Sequence, residues 1–151
     1  MTTWTGTGRA GIALLASLVA VLLAGVLVAV LGSPLAGLAV VVLTGAIIVG
    51  FTSNRVEVGP AGLEVHSGVF PFLHVRFPLE RIRHADAIDV NPWRWGGWGY
   101  RGSVRVFKRA AWILHRGEGI KLDLVGGGWF VVTVDDAATG AAALNELLTS
   151  K

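Results

Sequence analysis

The sequence predicts a transmembrane α-helical hairpin followed by a mainly-β, α+β domain. Residues 10–51 contain no Lys, Arg, Asp, Glu or His, and a helix of about 20 apolar residues is long enough to cross a bilayer. After residue 52 the apolar residues alternate with polar ones, which is typical of half-buried strands. Near the end of the chain the spacing becomes helical again, with Ala141, Leu144 and Leu148 on one face.

The apolar run divides into two arms at a short turn. The first arm covers residues 11–31 and the second covers residues 35–51, with Gly32, Ser33 and Pro34 between them. Gly, Ser and Pro favour turns, and proline also suits the first position of a new helix. The first arm is longer than the apolar region of a signal peptide, which has about 7–15 residues. We therefore expect two spans rather than a cleaved leader.

Two arginines predict the orientation of this hairpin. Arg9 precedes the first arm, Arg55 follows the second, and the connecting loop carries no positive charge. Because positive residues near the ends of spans favour the cytoplasmic side, both termini are expected in the cytoplasm. The predicted organisation is a cytoplasmic tail over residues 1–9, a transmembrane hairpin over 10–52 and a β-domain over 53–151, in an integral membrane protein.

Small residues recur along both arms at helical spacing. They let helix backbones approach closely, and the predicted helix–helix packing set is Ala13, Ala16, Ala20, Ala24, Gly25, Ala29, Gly37 and Gly45. This set serves either contact between the two arms or homo-oligomerisation. The arms hold no ionisable group, which argues against a transporter or channel formed by the hairpin alone.

The segment after the hairpin reads as about seven short strands and a terminal helix. Turn-forming residues separate the strands, at Gly59–Gly62, Gly117–Gly119 and Gly126–Gly128. Asp135 or Asp136 is a suitable cap for the helix that follows. Seven antiparallel strands and one helix predict a small barrel, or two orthogonal sheets, with the helix closing one end.

Residues 56–82 resemble the opening of bacterial pleckstrin-homology-like (PH-like) domains found beside transmembrane hairpins. The matching features are the turn before Gly62-Leu63, the break at Ser67-Gly68 and the connection at residues 78–82 that leads into the next strand. The last strand, at residues 131–136, and the helix after it also match. The resemblance implies a PH-like barrel that acts as a scaffold or binding module, and it implies that the membrane is the bacterial inner membrane. It supplies no catalytic residues, and residues 93–101 depart from the simpler members.

Those departing residues form the most unusual stretch of the chain, rich in Trp, Gly and Arg. Aromatic rings with one polar atom are common at membrane–water interfaces, and arginine binds phosphate bidentately. The stretch is therefore a candidate membrane-facing or ligand-binding loop, or else the rings cover one end of the core with arginines stacked on them. The candidate residues are Trp93, Arg94, Trp95, Trp98, Tyr100 and Arg101, with Arg105, Lys108 and Arg109 as basic support.

Charge is unevenly distributed along the β-domain. Residues 76–116 carry nine Lys or Arg against three Asp or Glu, and residues 117–150 carry one Lys against five acids. This uneven distribution of charge is compatible with a domain that directs one basic face at anionic lipid headgroups. An ordinary scatter of solvated charges is the alternative.

Catalytic chemistry finds little support in the sequence. The chain has no cysteine, which excludes disulfides and thiol catalysis, and it has no serine-hydrolase elbow, phosphate-binding lysine loop or zinc motif. We expect no enzyme activity, no cofactor and no metal.

The predicted function is a membrane-anchored PH-like module that binds a protein partner or anionic lipid headgroups at the cytoplasmic face. The alternative is an accessory subunit of a larger membrane complex, assembled through the hairpin. Expected partners are the bilayer and a protein partner or second copy, and not nucleic acid.

Overall fold

The computed structural model describes residues 4–50, 52–68 and 74–150, which form strands β1–β9 and helices α1–α4. In chain order these are β1 (Trp4–Arg9), α1 (Ile12–Leu31), α2 (Pro34–Gly50), β2 (Ser53–Gly59), β3 (Gly62–Ser67), β4 (His74–Phe77), β5 (Ile82–Val90), β6 (Gly99–Ser103), α3 (Val104–Phe107), β7 (Arg109–Ile113), β8 (Gly117–Leu124), β9 (Trp129–Thr133) and α4 (Ala137–Thr149). Short 3₁₀ turns cover Leu79–Arg81 and Pro92–Trp95.

The strands form two separate sheets. The first has the order β1-β2-β3-β4, and the second has the order β5-β8-β9-β7-β6. In the second sheet β9 lies between β8 and β7 and runs parallel to β7. The predicted closed barrel of about seven antiparallel strands capped by a helix is therefore wrong, and the fold is α/β with two sheets. Alternation along a strand shows which face is buried but not which strand lies beside it, so the pairing could not be deduced from periodicity.

The main core lies between the two sheets and helix α4. It combines alternate residues of both sheets, such as Val56, Leu63, Trp112 and Phe130, with Leu144 of α4. These side chains are almost fully buried, because each strand presents every second residue to the same face. The opposite face of the five-stranded sheet is called the outer face below.

Strand β1 lies in the residues that the sequence analysis assigned to a tail. It pairs antiparallel with β2, and Arg9 is the cross-strand partner of Ser53. The backbone N–H of Ala10 then donates to the carbonyl of Thr52 at 2.7 Å. Helices α1 and α2 therefore leave the β-domain and return to it at the same place, between two neighbouring strands.

The two helices contact each other through a few of the small residues. Gly25 is buried against Val41 and the backbone of Gly37, and Gly37 approaches Ala29. Ala16, Ala20 and Ala24 are exposed, and a side chain added at Gly45 would meet nothing within 4 Å. The side chain of Ala13 lies outside the described residues. The α1–α2 contact thus uses Gly25, Ala29 and Gly37 from the predicted packing set.

The membrane assignment requires correction. Among the described residues, no helix is both long and apolar enough to cross a bilayer. Helix α2 has 17 residues, or about 26 Å at the α-helical rise, against a hydrocarbon core of roughly 30 Å. This finding overturns the predicted transmembrane hairpin, and with it the assignment to the inner membrane with cytoplasmic termini.

Helix α4 is attached to the second sheet by polar contacts at both of its ends. The backbone N–H of Ala137 donates to Glu118 Oε2 at 3.1 Å, which satisfies a donor at the start of the helix. Further along, the side-chain amide of Asn145 accepts from the backbone N–H of Ala85 at 3.0 Å and donates to the carbonyl of Ala85 at 2.8 Å. The Asn145 contacts occupy the backbone groups of Ala85 on the free edge of β5.

Candidate binding site: a basic groove on the outer face

A small apolar cluster lies on the outer face of the five-stranded sheet. It consists of Val90, Ala111, Ile113 and Val131, which are buried although the main core lies on the other side of the sheet. Ile88, Trp95 and Trp129 pack against this cluster and are partly buried. Of these residues, Ala111, Ile88, Trp95 and Trp129 line an open groove of about 1000 Å³ and form its apolar floor.

The 3₁₀ turn Pro92–Trp95 carries Trp95 back onto this floor. The side chain of Asn91 accepts from the backbone N–H of Trp93 at 3.2 Å, and Gly96 ends the turn with φ 87°. That left-handed conformation favours glycine because a Cβ would be strained there. The indole of Trp95 consequently meets that of Trp129 edge to face, with ring centroids 4.9 Å apart.

Arginines from several elements surround the floor. Arg101 of β6 is the cross-strand partner of Ala111, and Ser103 is the partner of Arg109. Arg101 and Arg109 therefore occupy diagonal positions on the outer face, where Cα atoms are about 7–8 Å apart. Arg94 reaches the groove from the 3₁₀ turn, and Arg116 reaches it from the connection between β7 and β8.

These arginines are not neutralised by nearby acids. Within the described ranges, no ion pair joins Arg94, Arg101, Arg109 or Arg116 to a carboxylate. Lys121 also lines the groove, but its Nζ is 2.9 Å from Asp123 Oδ1. Asp89 is the one acid among the described lining residues. The groove is therefore an electropositive surface over an apolar floor.

The structure places the nine candidate residues in different environments. Four of them, Arg94, Trp95, Arg101 and Arg109, line the groove. Trp93 and Trp98 form a separate edge-to-face pair with centroids 5.1 Å apart, and Trp93 is 77% exposed.

The other three candidates lie away from the groove lining. Tyr100 packs edge-on against the core residue Trp112, and partial burial raises the pKa of its hydroxyl. Arg105 and Lys108 are exposed. The carbonyl of Lys108 accepts from the backbone N–H of Trp129 at 2.9 Å.

Several groove residues were not anticipated from the sequence. Trp129, Arg116, Lys121 and Asp89 join the site only through strand pairing, since Arg109 and Trp129 are register partners across the parallel pair. Trp129 follows three consecutive glycines, which indicated a turn and gave no hint of a site. Among the described residues, no group of three or more His, Asp or Glu side chains lies close enough together to hold a metal ion.

Comparison with known proteins identifies no relative of this chain. No protein-family model, no curated protein and no solved structure matches this chain. The resemblance of residues 56–82 to PH-like domains is not tested by these comparisons. The geometry of the groove is therefore the basis for the functional proposal below.

Proposed function

We propose that this protein is a non-enzymatic binding module whose groove holds an anionic segment of a protein partner. One observation carries the proposal: four arginines border an apolar floor without a carboxylate partner among the described residues. Arg101 and Arg109 lie diagonally on the same face, and two like charges at this separation repel each other. A bound anion would relieve this repulsion.

The lining of the groove has the composition of a protein-binding site. Tryptophan and arginine dominate binding energy at interfaces, since they combine a large apolar surface with directional hydrogen bonds. Trp95 and Trp129 provide the apolar surface, and the arginines provide donors that fit carboxylate or phosphate groups. A volume of about 1000 Å³ is at the upper end of small-ligand pockets, and it suits a few residues of a partner chain.

Nucleic acid is a less suitable ligand for this surface. A nucleic-acid interface follows a charged backbone over many phosphates with an extended positive surface. Here four arginines border one groove rather than an extended track, and Asp89 lines that same groove. A short anionic segment matches this distribution better than a long polyanion.

Binding of acidic peptides to the full chain tests the proposal. The probe is a short peptide with two glutamates beside a phenylalanine, and its binding is followed by tryptophan fluorescence and calorimetry. We expect Arg109→Gln to weaken binding at least about tenfold, because a charged hydrogen bond contributes about 1.5–3 kcal/mol. Arg55→Gln is the matched control, since Arg55 lies in the other sheet and pairs with Glu57 at 2.9 Å. Equal binding by both variants would refute a role for the groove.

A second candidate function, assembly of subunits through the hairpin, follows from its exposed surface. Large apolar side chains of α1 and α2 are exposed, including Val30 at 76%, Leu31 at 77% and Leu35 at 78%. Apolar patches beyond a few hundred Å² usually mark interaction sites. We propose hairpins of further copies of this chain as the occupants, because an uncharged surface is matched by another uncharged surface.

Light scattering on a charged variant tests this second function. Ala20 is exposed on α1, so Ala20→Lys should reduce the assembly to a smaller species. Ala138→Lys places the same charge on the exposed side of α4 and should leave the mass unchanged. A monomeric wild-type chain, or one that requires detergent to stay dispersed, would exclude assembly between copies.

A further inference from the structure

We infer that the anionic group recognised by the groove is a phosphate monoester on a side chain of the protein partner. This inference rests on the proposed function and specifies its ligand. It concerns the end of the groove formed by β6 and β7, which contribute Arg101 and Arg109. The opposite end has a different composition, because Asp89 accompanies Arg116 there and Lys121 is paired with Asp123. Unbalanced positive charge is thus concentrated at the first end.

The diagonal placement of Arg101 and Arg109 favours phosphate over carboxylate. A carboxylate has two oxygens, and the planar fork of a single arginine is enough to bind both. A phosphate monoester has three terminal oxygens and carries about −1.5 to −2 charges at neutral pH. Two guanidinium groups about 7–8 Å apart at their Cα atoms can bind such a group from both sides. The pair therefore matches a dianion in charge and in number of donors.

The surroundings of the two arginines leave room for the group. Gly102 lies between Arg101 and Ser103 and lines the groove. Its φ is 79°, and a Cβ at this position would collide with the carbonyl of Arg109. On the floor, Ala111 is a small residue directly opposite Arg101. The rest of the partner segment would then extend over Trp95 and Trp129.

One guanidinium is already held in place before a ligand binds. The Nε of Arg101 donates to the carbonyl of Trp98 at 3.5 Å, and its terminal nitrogens lie beside Gly96 and Gly97. This contact with the backbone restrains Arg101 and leaves its outer N–H groups free to donate. Restraining a binding group before the complex forms lowers the entropic cost of binding.

The test compares three peptides of one sequence, with phosphoserine, glutamate or serine at the central position. Calorimetry on the full chain should show the phosphoserine peptide binding at least about tenfold more tightly than the glutamate peptide, since extra charged hydrogen bonds form. The phosphoserine advantage should decline below about pH 6, where the phosphate gains a proton. The glutamate peptide should show no change over that pH range.

Two variants test whether the preference for phosphoserine over glutamate depends on the arginines of the groove. Arg101→Lys keeps the charge but removes the fork, and Arg109→Gln removes the charge, so both should reduce the phosphoserine advantage to less than about threefold. Arg55→Gln should keep the full advantage, and melting curves confirm that each variant is folded.

Three outcomes would overturn the inference. Equal affinity for the phosphoserine and glutamate peptides, with both weakened by Arg109→Gln, would overturn the phosphate assignment and leave the binding module intact. Failure of both peptides to bind would overturn both proposals. Binding to vesicles that contain a phosphomonoester lipid, without binding to the phosphoserine peptide, would assign the phosphate to a lipid headgroup and exclude the protein source.

Discussion

Trp95 and Trp129 meet edge to face at 82°, with ring centroids 4.9 Å apart. The two rings come from a turn and a central strand that are more than thirty residues apart in sequence. Their contact covers the apolar cluster of the outer face, and edge-to-face aromatic pairs add about 0.5–1.5 kcal/mol beyond their buried area. The contact therefore fixes the turn that carries Arg94.

Removal of the Trp95 ring should destabilise the fold measurably. We expect Trp95→Ala to lower the free energy of unfolding by about 2–3 kcal/mol, somewhat less than for a fully buried tryptophan. Trp93→Ala is the comparison variant: Trp93 is 77% exposed, so its loss should cost no more than about 1 kcal/mol, from its edge-to-face pair with Trp98. Urea denaturation followed by circular dichroism measures both. Equal losses would show that Trp95 is not anchored on Trp129.

The segment around these tryptophans illustrates what the sequence can and cannot predict. Composition identified residues 93–101 as unusual, and glycine positions indicated the turns. The partner Trp129 could not be identified, because its place beside Arg109 depends on a parallel pairing between β7 and β9. Such pairing joins residues that are distant in sequence, and the periodicity within one strand does not indicate which other strand lies beside it.

The same limit explains the errors about the fold. Helical spacing near the end of the chain agrees with α4, where Ala141 and Leu144 are buried. Strand β1 was missed because Gly6 and Gly8 occupy its buried positions, so the usual apolar alternation is absent. Periodicity could not decide between the predicted barrel and its alternative of two orthogonal sheets, because strand order is set by contacts across the whole domain.

Gly140 should resist substitution although it lies inside helix α4. Alanine is favoured over glycine in helices by about 1 kcal/mol. A Cβ at Gly140 would, however, come within 2.9 Å of the Trp4 ring and Ile120, and overpacking costs about 1–3 kcal/mol. We expect Gly140→Ala to lower the melting temperature. Adding Trp4→Phe should reduce this loss, and a double-mutant cycle measures the coupling. Strict additivity would show that the two residues do not compete for space.

Asp136 should make the fold sensitive to acid. Hydrogen bonds from Thr139 and Trp4 hold the pKa of its carboxyl below the usual value. Because the folded-state pKa is lowered, the stabilisation is present above the unfolded-state pKa of about 4 and is lost as the pH falls through the folded-state value. Asp136→Asn should flatten this part of the profile of melting temperature against pH. An unchanged slope in the variant would assign the acid sensitivity to other carboxyls.

The helices α1 and α2 should be removable without unfolding the β-domain. Arg9 and Ser53 are cross-strand partners, so Asn-Gly in place of residues 10–52 would join β1 to β2 by a tight hairpin turn. We expect the shortened chain to keep its strand signal in circular dichroism and to unfold cooperatively. A shortened chain without the near-ultraviolet tryptophan signal would show that the β-domain depends on the helices.

Asn145 has a consequence for how this protein behaves at high concentration. A strand at the border of a sheet offers unpaired backbone groups, and another chain can attach there and begin aggregation. By occupying both backbone groups of Ala85, the amide of Asn145 imitates a neighbouring strand at the middle of β5. Two backbone groups near the middle of this nine-residue strand are thereby withdrawn from edge-to-edge pairing by a single side chain.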